Sequence, residues 1–131
     1  MPPQMKLTAI TLDCPDPEVL AAFYRQATGL ELHPKSNGDF AGLNGDDGLF
    51  IGFQRVDDYQ VPHWPDQAVP QQLHLDFAVE DLDEAEVVLL ELGAAKPEHQ
   101  PGGDKWRVLI DPAGHPFCLT TRTIQVSTRS A

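Results

Sequence analysis

One strand-and-helix pattern occurs twice in this chain, and this repeat constrains the fold more than any other feature of the sequence. Residues 73–79 alternate between apolar and polar side chains, which is typical of a strand with one face against a core. Residues 81–93 then carry an apolar stripe at helical spacing that ends at a glycine. Residues 9–14 and 16–29 repeat both patterns 65 positions earlier (81 − 16). Self-similarity over so long a period predicts two copies of one structural unit.

Both predicted helices begin at an aspartate with the features of an N-cap. Asp16 is followed by Pro17, which suits the first helical position because proline has no amide hydrogen to leave unpaired. Either Asp81 or Asp83 can cap the second helix, and Asp81 stands three residues before Glu84, the spacing of a capping box. We therefore expect helices that begin directly after these aspartates and end at the glycine that follows each apolar stripe.

Further strands follow each helix. After the first helix the sequence predicts three strands, at residues 31–33, 40–43 and 49–55. The dipeptide Asn44-Gly45 predicts a hairpin between the last two. After the second helix we expect a short strand at residues 94–95 and a final hairpin that begins at Trp106 and ends with an apolar strand at residues 117–119.

Prolines separate the two copies. The stretch between them holds Pro62, Pro65 and Pro70, too many for a helix or a central strand. The sequence therefore predicts a first module, a connector, a second module and a flexible tail, at residues 6–55, 56–72, 73–121 and 122–131.

Charge and composition exclude several classes of partner. The net charge of −11 arises from 20 acidic and 9 basic residues, and such a balance repels nucleic acid and anionic membrane surfaces. We find neither a transmembrane span nor the apolar core of a signal peptide, so we expect a cytoplasmic protein. Cys14 and Cys118 each lie in an apolar strand without a CxxC pair, which favours thiols over a disulfide.

Together, the repeat and several local strings resemble the vicinal oxygen chelate superfamily, which includes glyoxalase I, extradiol dioxygenases and bleomycin-resistance proteins. The strings LDCPDP, FQRV, WPD, QLHLDF and DPAGHPFCL look most like those of bacterial glyoxalase-like domain proteins. The resemblance covers residues 6–121. It implies an α+β fold in which two βαβββ modules form curved mixed sheets around a cleft, the glyoxalase/bleomycin-resistance fold. It also implies a homodimer, with modules that either pair within one chain or swap between chains.

Metal-using members of that superfamily hold an ion with four side chains, two from each module. Carried onto this sequence, the four positions are Ala9, Gly52, His74 and Cys118. Alanine and glycine have no ligating side chain and Cys118 replaces a usual carboxylate, so only His74 is of the expected type. Gln54 lies on the same strand face as Gly52 and is a further oxygen donor. We therefore expect no cofactor, with a divalent metal held by His74 and Cys118 as the alternative.

His74 and Asp76 lie two residues apart on one strand face, where they could act as a catalytic base and its orienting carboxylate. The alternative is that His74 only hydrogen-bonds a neighbour in the cleft. The remaining side chains that we expect to line a substrate cleft are Gln54, Trp64, Trp106, Arg107 and Cys118. Cys118 is also compatible with a small buried apolar role.

Two functions remain open from the sequence. The first is a glyoxalase-like enzyme that binds a small molecule between its modules and carries out isomerase or lyase chemistry next to a carbonyl, with His74 as base or ligand. The second is a metal-free module of the bleomycin-resistance kind, which binds a drug-like or aromatic ligand without changing it. The identity of the ligand is open in both cases.

Overall fold

The computed structural model describes residues 3–121, and within them the chain forms two compact units. The first unit ends at Tyr59 and the second begins at Gln60. Each unit contains one helix and one mixed sheet, so the predicted α+β class is confirmed. The connector from residue 60 onward belongs to the second unit, and the predicted tail lies outside the described residues.

The first unit has the predicted βαβββ order. Its elements are β1 (Ala9–Cys14), α1 (Pro17–Thr28), β2 (Glu31–Leu32), β3 (Phe40–Asn44) and β4 (Phe50–Arg55). The sheet order is β1-β4-β3-β2, with β1 parallel to β4 and the other pairs antiparallel. Because α1 connects β1 to the rest of the sheet, β1 and β4 can lie side by side although they are far apart in sequence.

The cap of α1 forms as the sequence predicts, and Leu20, Phe23 and Tyr24 of the predicted stripe are buried, whereas Val19 is exposed. The Asp16 carboxylate accepts hydrogen bonds from the amides of Glu18 and Val19, and Gly29 ends the helix with a left-handed φ of 77°. On its inner side, α1 stacks Tyr24 against Phe53 of β4, with ring centroids 5.7 Å apart. This contact lies in the core of the first unit, where both side chains are buried.

The second unit repeats this plan, except that the strand expected directly after its helix is reduced to a single bridge. Its elements are β5 (Leu75–Ala78), α2 (Leu82–Leu92), β6 (Trp106–Ile110) and β7 (Pro116–Thr120). The sheet order is β5-β7-β6, with β5 parallel to β7. The strand predicted at residues 94–95 is only a single bridge from Ala95 to Ile110, since the chain turns away into a Gly/Pro loop after Pro97.

The start of one strand and the burial of the helix in the second unit differ from the prediction. We predicted a strand from residue 73, but β5 begins at Leu75 and His74 lies just before it. The register would place His74 opposite Pro116, which has no amide hydrogen to donate to the ladder. In α2 the predicted stripe is buried fully only at Leu82 and Leu89, while Val88 is exposed.

Capping also fixes the start and end of α2. The Asp81 side chain accepts a hydrogen bond from the Glu84 amide at 2.9 Å, and Gly93 follows the last turn with a φ of 123°. Among the described residues, neither helix is long and apolar enough to cross a membrane.

Candidate functional site

The two faces of the second sheet differ in chemistry. The Arg107 side chain reaches across to α2, so this residue and its neighbours in register, Leu119 and Phe77, face the helix. Strand alternation then turns Asp76 and Cys118 to the opposite face. The register places these two residues directly opposite each other on the neighbouring strands β5 and β7.

Three side chains of different chemistry meet on that face. His74 Nε2 lies 3.5 Å from Asp76 Oδ1, and the ligand atoms of His74, Asp76 and Cys118 all lie within 4.8 Å of one another. We call these three residues the His–Asp–Cys cluster. Cys118 is only 7% exposed, whereas the side chains of His74 and Asp76 are 37% and 28% exposed. The cluster is therefore anchored in the sheet and open to solvent on one side.

The cluster has the composition and spacing of a metal site. Imidazole, carboxylate and thiolate are the three side-chain groups that bind zinc-type ions. With ordinary bond lengths, neighbouring ligand atoms around a tetrahedral ion lie about 3.3 to 3.6 Å apart. The separation between the ligand atoms of His74 and Asp76 already matches this range. The Cys118 sulfur would have to move only slightly towards the other two ligand atoms. A tetrahedral ion held by these three groups would keep a fourth position for water or substrate, as catalytic sites require.

The first unit does not offer a matching pair of ligands. Ala9 carries only a methyl group, and Gly52 has no side chain. A Cβ atom at Gly52 would lie 2.6 Å from the Phe40 ring and 3.0 Å from Thr11 Oγ1, so these two side chains occupy the space of a ligand. The four-ligand site implied by the sequence resemblance therefore does not fit this chain, and within residues 3–121 the His–Asp–Cys cluster is the one group of three potential ligands.

The first sheet instead presents two aromatic rings on the face away from α1. The rings of Phe40 and Phe50 are nearly parallel, at 4°, with centroids 6.1 Å apart. They cover the glycine pair Gly42 and Gly52, which are direct cross-strand neighbours. Gln54, which we predicted to line the cleft, is an exposed residue of the same face.

The two tryptophans predicted as cleft residues lie in the second unit. Trp64, in the connector, is half-buried with its ring centroid 5.1 Å from that of His99. Trp106 is on the same sheet face as the cluster, and its indole covers Gly102, where an added Cβ would be 2.3 Å away. Both rings thus hold the Gly/Pro loop that follows α2.

Arg107, the other predicted cleft residue, lies on the opposite side of the sheet from the cluster. It donates hydrogen bonds to Glu86 at 2.7 Å and to Asp83 at 3.2 Å, both on α2. Lys96 is a second cation beside Glu86, at 3.3 Å. Partial burial acts to raise the pKa of Glu86, but hydrogen bonds and positive charges from Arg107 and Lys96 outweigh it and lower this pKa below its ordinary value.

This ion-pair network predicts a pH-dependent contribution to stability. The pKa of Glu86 is lower in the folded than in the unfolded protein, so its contribution is fully present above the ordinary glutamate pKa and is lost as pH falls through the lowered value. We expect the free energy of unfolding to fall less on acidification in Glu86→Gln than in the wild type, as measured by urea unfolding at neutral and acidic pH. Glu91→Gln, an exposed residue of the same helix, is the control and should behave as the wild type. Equal pH dependence in all three proteins would contradict this role of Glu86.

The sequence indicated His74 and Asp76 as neighbours, but it did not indicate that Asp76 is the direct cross-strand partner of Cys118. That pairing depends on the register of β5 against β7, two strands that are separated by the helix and by β6. The repeat is the signal that could have shown it. Thr11 and Gly52 of the first unit correspond to Asp76 and Cys118 of the second, and Thr11 stands opposite Gly52 in the first sheet.

Comparisons with known proteins agree with this fold. The sequence profile of the family described as "Glyoxalase-like domain" matches residues 9–120. No curated protein matches the chain.

Solved structures with the same fold cover nearly all of the chain. A possible glyoxalase from Bacillus cereus is 18% identical, with a TM-score of 0.66 over 89% of this chain and 99% of that chain. A glyoxalase/bleomycin resistance protein/dioxygenase family enzyme from Burkholderia phytofirmans is 21% identical, with a TM-score of 0.66 over 88% and 97%. A mutant of the fosfomycin resistance protein FosX from Listeria monocytogenes, complexed with Mn(II) and 1S,2S-dihydroxypropylphosphonic acid, is 22% identical, with a TM-score of 0.65 over 91% of each chain. With the profile match over most of its length, this chain belongs to the glyoxalase-like domain family of the vicinal oxygen chelate superfamily.

Proposed function

We propose that this protein is a glyoxalase-like enzyme that acts on a small carbonyl compound at the His–Asp–Cys cluster of its second unit. The observation that carries the proposal is that the ligand atoms of His74, Asp76 and Cys118 lie within 4.8 Å of one another on a solvent-open sheet face. Histidine, carboxylate and thiol groups are the residue types from which acid–base, nucleophilic and metal centres are built.

The three side chains have distinct tasks in this proposal. Cys118, buried in β7, fixes the position of the centre, while His74 and Asp76 border the open side where a small molecule enters. A divalent ion held by the three residues would supply Lewis-acid polarisation of a carbonyl oxygen. In the metal-free form of the same proposal, His74 accepts the proton next to the carbonyl and Asp76 orients the imidazole.

Metal content decides between these two forms. We expect near-stoichiometric divalent metal, measured by mass spectrometry, in untagged protein purified without chelators, and its loss in His74→Ala. His63→Ala, an exposed histidine of the connector, is the matched control and should retain the metal. Because His74 is partly exposed, its replacement should leave the circular dichroism spectrum unchanged.

Two outcomes would count against the metal centre. If the wild type holds no metal after incubation with zinc, nickel, manganese and ferrous ions, only the metal-free acid–base form survives. If His74→Ala keeps the metal, the ion is bound elsewhere and the cluster is not its site.

A second candidate function rests on the aromatic face of the first sheet. Phe40 is 38% exposed beside the parallel ring of Phe50, a surface on which an aromatic ligand can stack. This supports the alternative of a binding protein of the bleomycin-resistance kind, in which no bond is changed.

We expect Phe40→Ala to weaken binding of the neutral dye Nile red, measured by fluorescence titration. Leu32→Ala, with an equally exposed apolar side chain on β2, is the control, and equal loss in both variants would contradict a specific site.

A further inference from the structure

We infer that Cys118 determines which metal ion the His–Asp–Cys cluster accepts, and that it makes the cluster selective for thiophilic divalent ions, zinc foremost, over manganese and magnesium. This inference rests on the proposed function, because it requires the cluster to bind an ion.

The backbone fixes the position of the thiol relative to the other ligands. Cys118 lies in the central strand β7, with Asp76 opposite it on one side and the buried Val108 opposite it on the other. His74 lies two residues before Asp76 in the sequence, and its side chain is on the same side of the sheet. Asp76 and Cys118 belong to directly paired strands and His74 lies just before one of them, so the sheet backbone fixes the separation of the positions that carry the thiol and the carboxylate.

The size of the centre also favours a small tetrahedral ion. All three ligand atoms fit within 4.8 Å, and the pair already at 3.5 Å has the spacing of neighbouring ligands on zinc. Magnesium and manganese prefer oxygen ligands in octahedral arrangement, and a sulfur donor at the innermost position does not suit them. A carboxylate at position 118 would instead complete a nitrogen and oxygen set that suits manganese well.

The test compares zinc and manganese affinities in four proteins. Competition against a chelating indicator would be measured for the wild type, Cys118→Asp, Cys118→Ser and Cys14→Ser. Nitrogen and oxygen sites also prefer zinc to manganese, so the diagnostic quantity is the change in the affinity ratio and not its sign. We expect the zinc-to-manganese ratio to fall by about tenfold or more in Cys118→Asp.

The chain provides its own control. Cys14 is the other buried thiol, lies in β1 of the first unit, and donates a hydrogen bond to the carbonyl of Gln54. Serine at this position can still donate to that carbonyl, so Cys14→Ser should keep the wild-type ratio.

A spectroscopic readout tests the thiol ligand even if a variant at position 118 folds poorly. Cobalt(II) bound to the wild type and to Cys14→Ser should show sulfur-to-cobalt charge-transfer absorption in the near ultraviolet. Cys118→Ser with bound cobalt should lack this absorption.

The failures of the two proposals differ. If cobalt and zinc bind to the wild type at the cluster without the charge-transfer absorption, Cys118 is not a ligand and this inference is overturned, while the metal centre stands. If no ion binds to any of the proteins, the metal centre and the inference both fail.

Discussion

Replacement of Phe53 by alanine is expected to lower the free energy of unfolding by about 3 to 5 kcal/mol, the usual cost of removing a large core side chain. Phe53 is fully buried in β4 and stacks on Tyr24 of α1, so its loss leaves a cavity between helix and sheet. Urea unfolding followed by circular dichroism measures this difference. A cavity at this position is lined by rigid elements on both sides, which limits its collapse.

Phe40→Ala is the matched control for this prediction. Phe40 belongs to the same sheet but lies on the opposite face, where it is 38% exposed, so its loss should cost well under half as much. If both variants cost the same, the assignment of the two faces of the first sheet is wrong.

The position of a phenylalanine in a strand does not by itself reveal its burial. The alternation of residues 73–79 predicts a core residue at Phe77, but this side chain is only half-buried, whereas its edge-to-face neighbour Phe117 is buried. Phe117 lies in the central strand β7 and Phe77 in an edge strand, and strand order is not visible in the local pattern. We therefore expect Phe77→Ala to lower the free energy of unfolding less than Phe117→Ala does.

The features that the sequence predicted best are local ones. Helix α1 begins after Asp16 and ends at Gly29, and helix α2 begins after Asp81 and ends at Gly93. These boundaries depend on hydrogen bonds within a few residues of the cap, and residue type alone determines whether such bonds can form.

The features that the sequence did not predict depend on residues far apart in the chain. The sequence of β6 does not tell which of its faces meets α2, so it did not reveal that Arg107 points to the helix and pairs with Glu86. The meeting of Asp76 and Cys118 depends on strand register. The predicted homodimer and the cleft between modules remain predictions, which sedimentation analysis and ligand-bound structures would test.

Gly114→Ala is expected to have the second large effect on stability. Gly114 forms the tight turn between β6 and β7 with a φ of 93°, a conformation that costs a residue with a Cβ atom about 1 to 2 kcal/mol. An added Cβ would also lie 2.3 Å from Cγ1 of Val61 in the connector. We therefore expect the free energy of unfolding, measured by urea denaturation, to fall by more than the backbone term alone.

The repeat supplies the control that separates the two causes. Gly48 ends the corresponding turn of the first unit with a φ of 81°, but apart from its two chain neighbours no described residue has an atom within 4 Å of the position of its Cβ. Gly48→Ala should therefore show only the backbone cost, and the excess in Gly114→Ala measures the contact with Val61. Adding Val61→Ala to Gly114→Ala should recover this excess, because the smaller side chain leaves room for the methyl group. If Gly114→Ala costs no more than Gly48→Ala, the connector does not pack against the turn that leads into β7 and Cys118.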